Sequence, residues 1–136
     1  MHNDPLVFEY HDYPLIPIKF HAGDRVTPLI DALLDSGGDF IVIPNAIAKF
    51  LKLKLSKASC VDTAGGETTL SSAHVTMTIH GDNRQYSYSN IEIFVSDRSD
   101  LPVLLGRRPV FDDHEIVFKK HENTLILQSI HPETTK

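Results

Sequence analysis

The stretch that decides the fold is Ala32-Leu33-Leu34-Asp35-Ser36-Gly37-Gly38-Asp39-Phe40, in which an apolar run meets a carboxylate and two glycines. The apolar run predicts a buried strand, and the glycines predict a tight loop directly after it. Asp35 would then emerge from a hydrophobic wall onto a sharply turned backbone that glycine permits. The Asp35-Ser36-Gly37 tripeptide alone is a weak sign of chemistry, because a plain strand-to-loop turn with a solvated carboxylate has the same sequence.

The rest of the chain predicts many short strands and little helix. Pro44–Leu53 has helical spacing, and a short helical turn is expected from Arg107 to Asp112 or Asp113. Apolar or alternating runs between turn signals predict strands at 15–20, 26–34, 40–43, 86–95 and 101–105, a hairpin of 59–63 with 75–79, and a terminal hairpin of 115–118 with 125–127. The predicted fold class is therefore mostly β, a small closed barrel with one or two short helices.

Composition and charge argue against several functional classes. Of the 136 residues, 41% are hydrophobic and 23% charged, which is typical of a globular protein. The net charge of -5 leaves no overall basic footprint, so nucleic acid is not an expected partner. Cys60 is the only cysteine, which favours a cytoplasmic setting. Met1–Tyr10 lacks the pattern of a secretory signal, and no run approaches the ~18 apolar residues of a span, so no membrane partner is expected.

Two further motifs give the Asp35 stretch a context. Val103-Leu104-Leu105-Gly106-Arg107 ends a predicted strand, and Thr63-Ala64-Gly65-Gly66-Glu67 lies at the turn of a predicted hairpin. Together with the Asp35 stretch, they resemble retropepsin-like aspartic proteases: an active-site strand, a second signature of two aliphatic residues followed by Gly and often Arg, and a flap between them. The resemblance implies an acid-protease-like barrel. It covers about residues 26–127 of one domain, with 1–25 as an N-terminal extension or extra hairpin and 131–136 as a loose tail.

The resemblance implies an aspartic endopeptidase that acts on an extended peptide. Such hydrolysis needs a general base to activate water and a general acid to protonate the leaving group, and two carboxyls sharing one proton supply both. No second Asp-Ser/Thr-Gly occurs in the chain. The pair must then come from two copies of Asp35 across a two-fold axis, so a homodimer is expected, and no cofactor. The segment from Pro44 to Leu53 is closer to cellular and prokaryotic members than to the viral enzymes.

The roles of the active-site loop follow from the same resemblance. Ser36 would donate its hydroxyl across the dimer axis, and Gly37 would point an amide at the catalytic carboxylate of Asp35. Gly38 and Asp39 would line the cleft and bind the substrate backbone. The family prefers Ala or Ser where this chain has Gly38, which leaves catalytic strength open.

Two other segments would support the loop and cover the substrate. Leu104, Leu105 and Gly106 would pack beneath the loop, where glycine allows close approach, and Arg107 would pair with Asp39. An ordinary surface ion pair is the alternative for those two residues. The flap residues would be Ala64, Gly65 and Gly66, with a simple exposed hairpin as the alternative.

Other signals indicate different functions less strongly. The eight histidines include no pair spaced by two, three or four residues, so no metal site is expected. Cys60 has no activating base nearby in the sequence. Two alternatives to an active peptidase stay open: a dimer that keeps the fold as a peptide-binding module, and a barrel scaffold domain from a longer protein.

Overall fold

Eleven strands and one α-helix account for most of the computed structural model, which describes residues 4–57, 60–63 and 66–131. Two short helical segments, Arg107–Phe111 and Lys120–Glu122, complete the regular structure. The strands are β1 (Leu6–Glu9), β2 (Leu15–Ala22), β3 (Arg25–Val26), β4 (Ile30–Leu34), β5 (Ile41–Pro44), β6 (Cys60–Thr63), β7 (Gly66–His80), β8 (Gln85–Ser96), β9 (Val103–Leu105), β10 (His114–Lys119) and β11 (Thr124–Ser129), and the helix α1 is Asn45–Leu51.

Six of the strands form a closed barrel. They are hydrogen-bonded in the order β2-β4-β9-β5-β8-β7, and β2 pairs with β7 to close the ring. At this seam Ile18 lies opposite Ile79 and Phe20 opposite Met77, and all four side chains are fully buried. The prediction of a mostly β, closed barrel with one or two short helices is confirmed.

The core of the barrel comes from alternating positions along its strands. In β2, Ile16, Ile18 and Phe20 are fully buried, whereas Leu15, Pro17 and Lys19 are only half-buried. Burial of each such side chain is worth roughly 1.5–3 kcal/mol. The family resemblance covers the chain from about residue 26, and the structure shows that β2, before that point, is also a barrel strand, paired with β4 on one side and β7 on the other.

A second, three-stranded sheet joins the two ends of the described chain. Its order is β1-β11-β10, with Leu6 opposite Leu127 and Phe8 opposite Leu125. Leu125 and Leu127 are buried in the core. Residues 6–9 therefore form a strand within the fold, where the sequence predicts only an extension or an extra hairpin. Residues 132–136 of the predicted tail lie outside the described residues.

The predicted hairpin near residue 65 is present, and its second strand, β7, is very long. β6 pairs with the start of β7, and the remainder of β7 continues into the barrel against β8. The sequence predicts the partner strand only from Val75 to Ile79, because the preceding residues are polar and alternate poorly.

Within the described residues, no helix has the length and apolar character needed to cross a membrane.

Candidate active site

The Asp35 loop lies where three strands of the barrel meet. β9 runs between β4 and β5, parallel to the first and antiparallel to the second. Leu105 on β9 faces Leu34 on one side and Ile41 on the other, and its carbonyl accepts a hydrogen bond from the Asp35 amide at 2.9 Å. The loop from Asp35 to Phe40 therefore joins two strands that both pair with β9. This shared neighbour fixes both ends of the loop.

Gly106 provides the closest backbone contact beneath this loop. A β-carbon at this position would lie 2.4 Å from the carbonyl oxygen of Phe40 and 2.8 Å from that of Gly38. The amide of Gly106 donates to the Phe40 carbonyl at 3.1 Å, and the amide of Arg107 donates to the Gly38 carbonyl at 2.9 Å. Only glycine allows two chain segments to approach this closely, so the loop is clamped by backbone contacts.

The Asp35 carboxylate is half-buried at the start of the loop. The Gly37 amide donates a hydrogen bond to its Oδ1 at 3.1 Å, and the Gly38 amide donates to its backbone carbonyl, also at 3.1 Å. β-Carbons at positions 37 and 38 would lie 3.5 Å from Oδ1 and 3.1 Å from Oδ2, respectively. The two glycines therefore keep space around both carboxylate oxygens while the Gly37 amide orients one of them.

Asp39 and Arg107 form an ion pair on the outer side of the loop. The guanidinium Nη2 of Arg107 contacts Oδ1 of Asp39, and its Nε donates to the Gly38 carbonyl at 3.3 Å. Both side chains are more than half exposed, so the charge attraction alone is worth at most about 1 kcal/mol. Arg107 still bonds the loop through its backbone amide and its side chain, which restricts how the loop moves relative to β9.

An aromatic cluster beside the ion pair was not predicted from the sequence. The rings of Phe40 and Phe94 lie 4.8 Å apart, and the Arg108 guanidinium lies 5.7 Å from the centre of the Phe40 ring. The Arg108 amide also donates to the Asp39 carbonyl at 3.0 Å. An aromatic residue directly after Asp39 and a second arginine after Arg107 are the sequence signals that point to this contact.

The remaining predicted site residues divide into those near the loop and those elsewhere. Ser36 is exposed on the loop, and Leu104 and Leu105 lie beneath it on β9. Gly66 pairs with Thr63 in the hairpin of β6 and β7, while Ala64 and Gly65 lie outside the described residues. Among the described residues, no backbone–backbone hydrogen bond joins that hairpin to the Asp35 loop.

A buried polar group inside the fold bears on stability. The His114 side chain is only 6% exposed, and its Nδ1 donates to the Val110 carbonyl at 3.1 Å. Burial lowers the pKa of His114, and burial likewise raises the pKa of Tyr88, whose hydroxyl lies 3.4 Å from the same nitrogen. In the described part of the chain, no group of three or more His, Cys, Asp or Glu side chains is arranged to hold a metal ion.

Comparison with known proteins gives matches among solved structures. No protein-family model matches the chain, and no curated protein matches it either. Similar structures include a retropepsin-like aspartic protease from Rickettsia conorii (TM-score 0.64, 17% identity, 93% of this chain and 91% of that chain). The EIAV protease in complex with the inhibitor HBY-793 (TM-score 0.56, 21% identity, 77% and 91%) and the retroviral protease-like domain of Ddi1 from Leishmania major (0.56, 11%, 88% and 94%) are also similar. At these identities the likeness establishes the fold.

Proposed function

We propose that this chain, which has the retropepsin-like fold, is one subunit of a homodimeric aspartic endopeptidase. The observation that supports this most directly is the Asp35 carboxylate, which is bonded by the Gly37 amide in a loop clamped by Gly106. A carboxylate held in a rigid loop with space around both oxygens suits acid–base chemistry on a bound substrate.

The reaction would use one Asp35 carboxyl from each subunit. Two carboxyls about 3 Å apart cannot both ionise, so the pair shares one proton. The ionised carboxylate removes a proton from water as the water oxygen attacks the peptide carbonyl carbon. The protonated carboxyl then protonates the amide nitrogen, the carbon–nitrogen bond breaks, and an amine and a carboxylic acid leave. Every proton in this sequence is held by water, substrate or one of the two Asp35 side chains.

The homodimer is a condition of this chemistry. The chain contains a single Asp-Ser/Thr-Gly motif, so a second copy must supply the second carboxyl. Ser36 lies exposed beside Asp35, where its hydroxyl could reach the matching loop of the second copy. Because the chemistry uses only carboxyls and water, we expect no cofactor, and the single Cys60 fits a cytoplasmic enzyme.

The substrate would bind in an extended conformation along the Asp35 loop. Gly38 and Asp39 would contact its backbone, since both lie in the loop that follows Asp35 and Gly38 has no side chain to block the approach. The hairpin that contains Ala64, Gly65 and Gly66 would cover the substrate by adding its strand edge to the peptide. An extended peptide presents backbone donors and acceptors on both sides, which matches these two surfaces.

A comparison of wild type with Asp35→Asn tests this function. Both proteins are screened for cleavage of a peptide library at acidic and neutral pH, and their association is measured by sedimentation. We expect both to be dimers and only the wild type to cleave, while Asp112→Asn, a change at an exposed aspartate outside the Asp35 loop, keeps the wild-type rate. Equal cleavage by Asp35→Asn would overturn the assignment, and dimers without cleavage in either protein would favour a peptide-binding module.

A further inference from the structure

The charged residues of the chain are unevenly distributed. Between Asp39 and Asp62 no acidic residue occurs, although the whole chain has a net charge of -5. The charged residues of this interval, all exposed lysines, are Lys49, Lys52, Lys54 and Lys57. No ion pair within the described residues includes any of these four. Four positive charges within nine residues, without an ion pair to any side chain that the structure describes, mark a surface that attracts anions.

Large apolar side chains are exposed beside these lysines. Phe50 is 47% exposed and Leu55 44% exposed, and Val26 on β3 is 45% exposed. The Arg25 guanidinium lies 5.9 Å from the centre of the Phe50 ring, which brings β3 and α1 to the same side of the molecule. We call this surface the lysine face; it consists of Arg25, Val26, Lys49, Phe50, Lys52, Lys54, Leu55 and Lys57.

The fold holds the lysine face in a fixed shape. α1 buries Ala48 and Leu51 against the core, so the intervening Lys49 and Phe50 point away from it. Lys52, the residue directly after the helix, has the left-handed conformation (φ 56°). Four residues later, Ser56 exchanges two backbone hydrogen bonds with Ser72 of β7, at 2.8 and 3.0 Å. The segment that carries Lys54 and Leu55 is therefore tied to the barrel at both ends.

The chemistry of the lysine face favours a lipid surface over an acidic protein segment. Four of its five cations are lysines, which attract diffuse negative charge, whereas recognition of individual carboxylates favours the forked guanidinium of arginine. Exposed Phe and Leu among lysines gain free energy by entering the boundary between headgroups and acyl chains, and lysine stems reach back to the headgroups. Asp24, next to Arg25, is the acidic residue adjoining the face along the chain.

We propose that the lysine face docks this protein on a membrane surface that contains anionic lipids. Phe50 and Leu55 enter the headgroup region, and the lysines bind the anionic headgroups. This association needs no membrane-spanning segment. The lack of a long apolar run in the sequence therefore does not argue against it. It also does not depend on whether Asp35 is catalytic.

Co-sedimentation with vesicles tests the proposal. The probes are vesicles of phosphatidylcholine alone and of three parts phosphatidylcholine to one part phosphatidylserine. We expect binding to the second only, and weaker binding at high salt. Each lysine should contribute roughly fivefold to the affinity, so Lys49→Gln with Lys52→Gln should weaken binding roughly twenty-five-fold. Lys119→Gln with Lys120→Gln makes the same change in charge outside the face and should leave most of the affinity intact.

A second variant separates a lipid partner from an acidic one. Phe50→Ser with Leu55→Ser should weaken binding to the anionic vesicles, because insertion of apolar side chains is lost while the charge is unchanged. Thermal melts confirm that each variant is folded. No binding of wild type to anionic vesicles, or equal losses in the two lysine variants, would overturn the proposal. Binding to polyglutamate that the Phe50 and Leu55 changes leave intact, without binding to vesicles, would assign the face to an acidic protein.

Discussion

Gly106 lies so close to Phe40 that a β-carbon at 106 would stand 2.4 Å from the Phe40 carbonyl oxygen and 2.7 Å from its amide nitrogen. Both atoms belong to the backbone, so no side chain can rotate to relieve the contact. The Asp35 loop and the strand beneath it can therefore keep their present spacing only while residue 106 has no side chain.

Gly106→Ala should strongly destabilise the protein. The added methyl group must push β9 away from the loop, breaking the bonds between Gly106 and Phe40 and between Arg107 and Gly38. We expect a loss of at least about 3 kcal/mol in the free energy of unfolding, measured by urea titration. Gly37→Ala is the control, since its β-carbon would meet Asp35 Oδ1 at an ordinary 3.5 Å. Equal losses in the two variants would contradict the clamp.

Arg107→Ala should reduce peptide cleavage much more than it reduces stability. Its ion pair with Asp39 is exposed and worth at most about 1 kcal/mol, but the side chain also bonds the Gly38 carbonyl in the proposed substrate cleft. We expect a rise in KM and a fall in kcat/KM with a nearly unchanged urea midpoint. Arg98→Ala is a matched control, because Arg98 forms a comparably exposed pair with Asp100. Equal effects of both changes on cleavage would indicate an ordinary surface pair.

Mixing subunits should reveal that the catalytic pair is shared. Asp35→Asn is added in increasing amounts to a fixed amount of wild type and allowed to exchange. Because mixed dimers would hold one aspartate, an equal amount of mutant should lower the cleavage rate to about half, and an excess should abolish it. Serum albumin at the same concentration controls for crowding. A rate that depends only on the amount of wild type would show that each chain acts alone.

Stability should fall on mild acidification, and His114 should contribute to the loss. Burial lowers its pKa in the folded protein below the ordinary value of about 6.5. Above that pH the imidazole is neutral in both states and the contribution is fully present. Below it, the unfolded chain binds a proton that folded His114 does not, so the free energy of unfolding decreases as pH falls.

Urea titrations between about pH 7 and 5 measure this slope. His114→Gln should flatten it, whereas His121→Gln, which changes a side chain that is 79% exposed, should leave it as in wild type. Some slope should remain in His114→Gln, because the pKa of His80 is also lowered. Burial is the larger cause, and the charges of Lys19 and His21 add to it. An unchanged slope in His114→Gln would contradict the role of His114.

Local sequence patterns predicted the barrel because most of its strands carry their own signal. The alternation of β2, the aliphatic run of β9 and the helical spacing of α1 are each visible within a few residues. β1 is different, since its four residues make a strand only by pairing with β11, more than a hundred residues away. No local pattern reports such a partner.

The candidate site, like the fold, could be predicted from the sequence only in part. The contact of Arg107 with Asp39 and the close approach of Gly106 were expected from the resemblance, and both are present in the structure. Their roles in catalysis stay predictions. The contact between the tilted rings of Phe40 and Phe94 depends on the register of β5 against β8, which the sequence does not reveal.

The pairing of β1 with β11 also determines when the molecule can be completed during synthesis. Residues 6–9 are synthesised before residues 124–127 and must wait for them before they have a partner. Until then Leu6 has no partner strand to bury it, and the part of the core formed by Leu125 and Leu127 is missing. The three-stranded sheet can therefore form only after β11 has been synthesised, and a nascent chain stalled before β11 should present an unfinished, chaperone-binding surface.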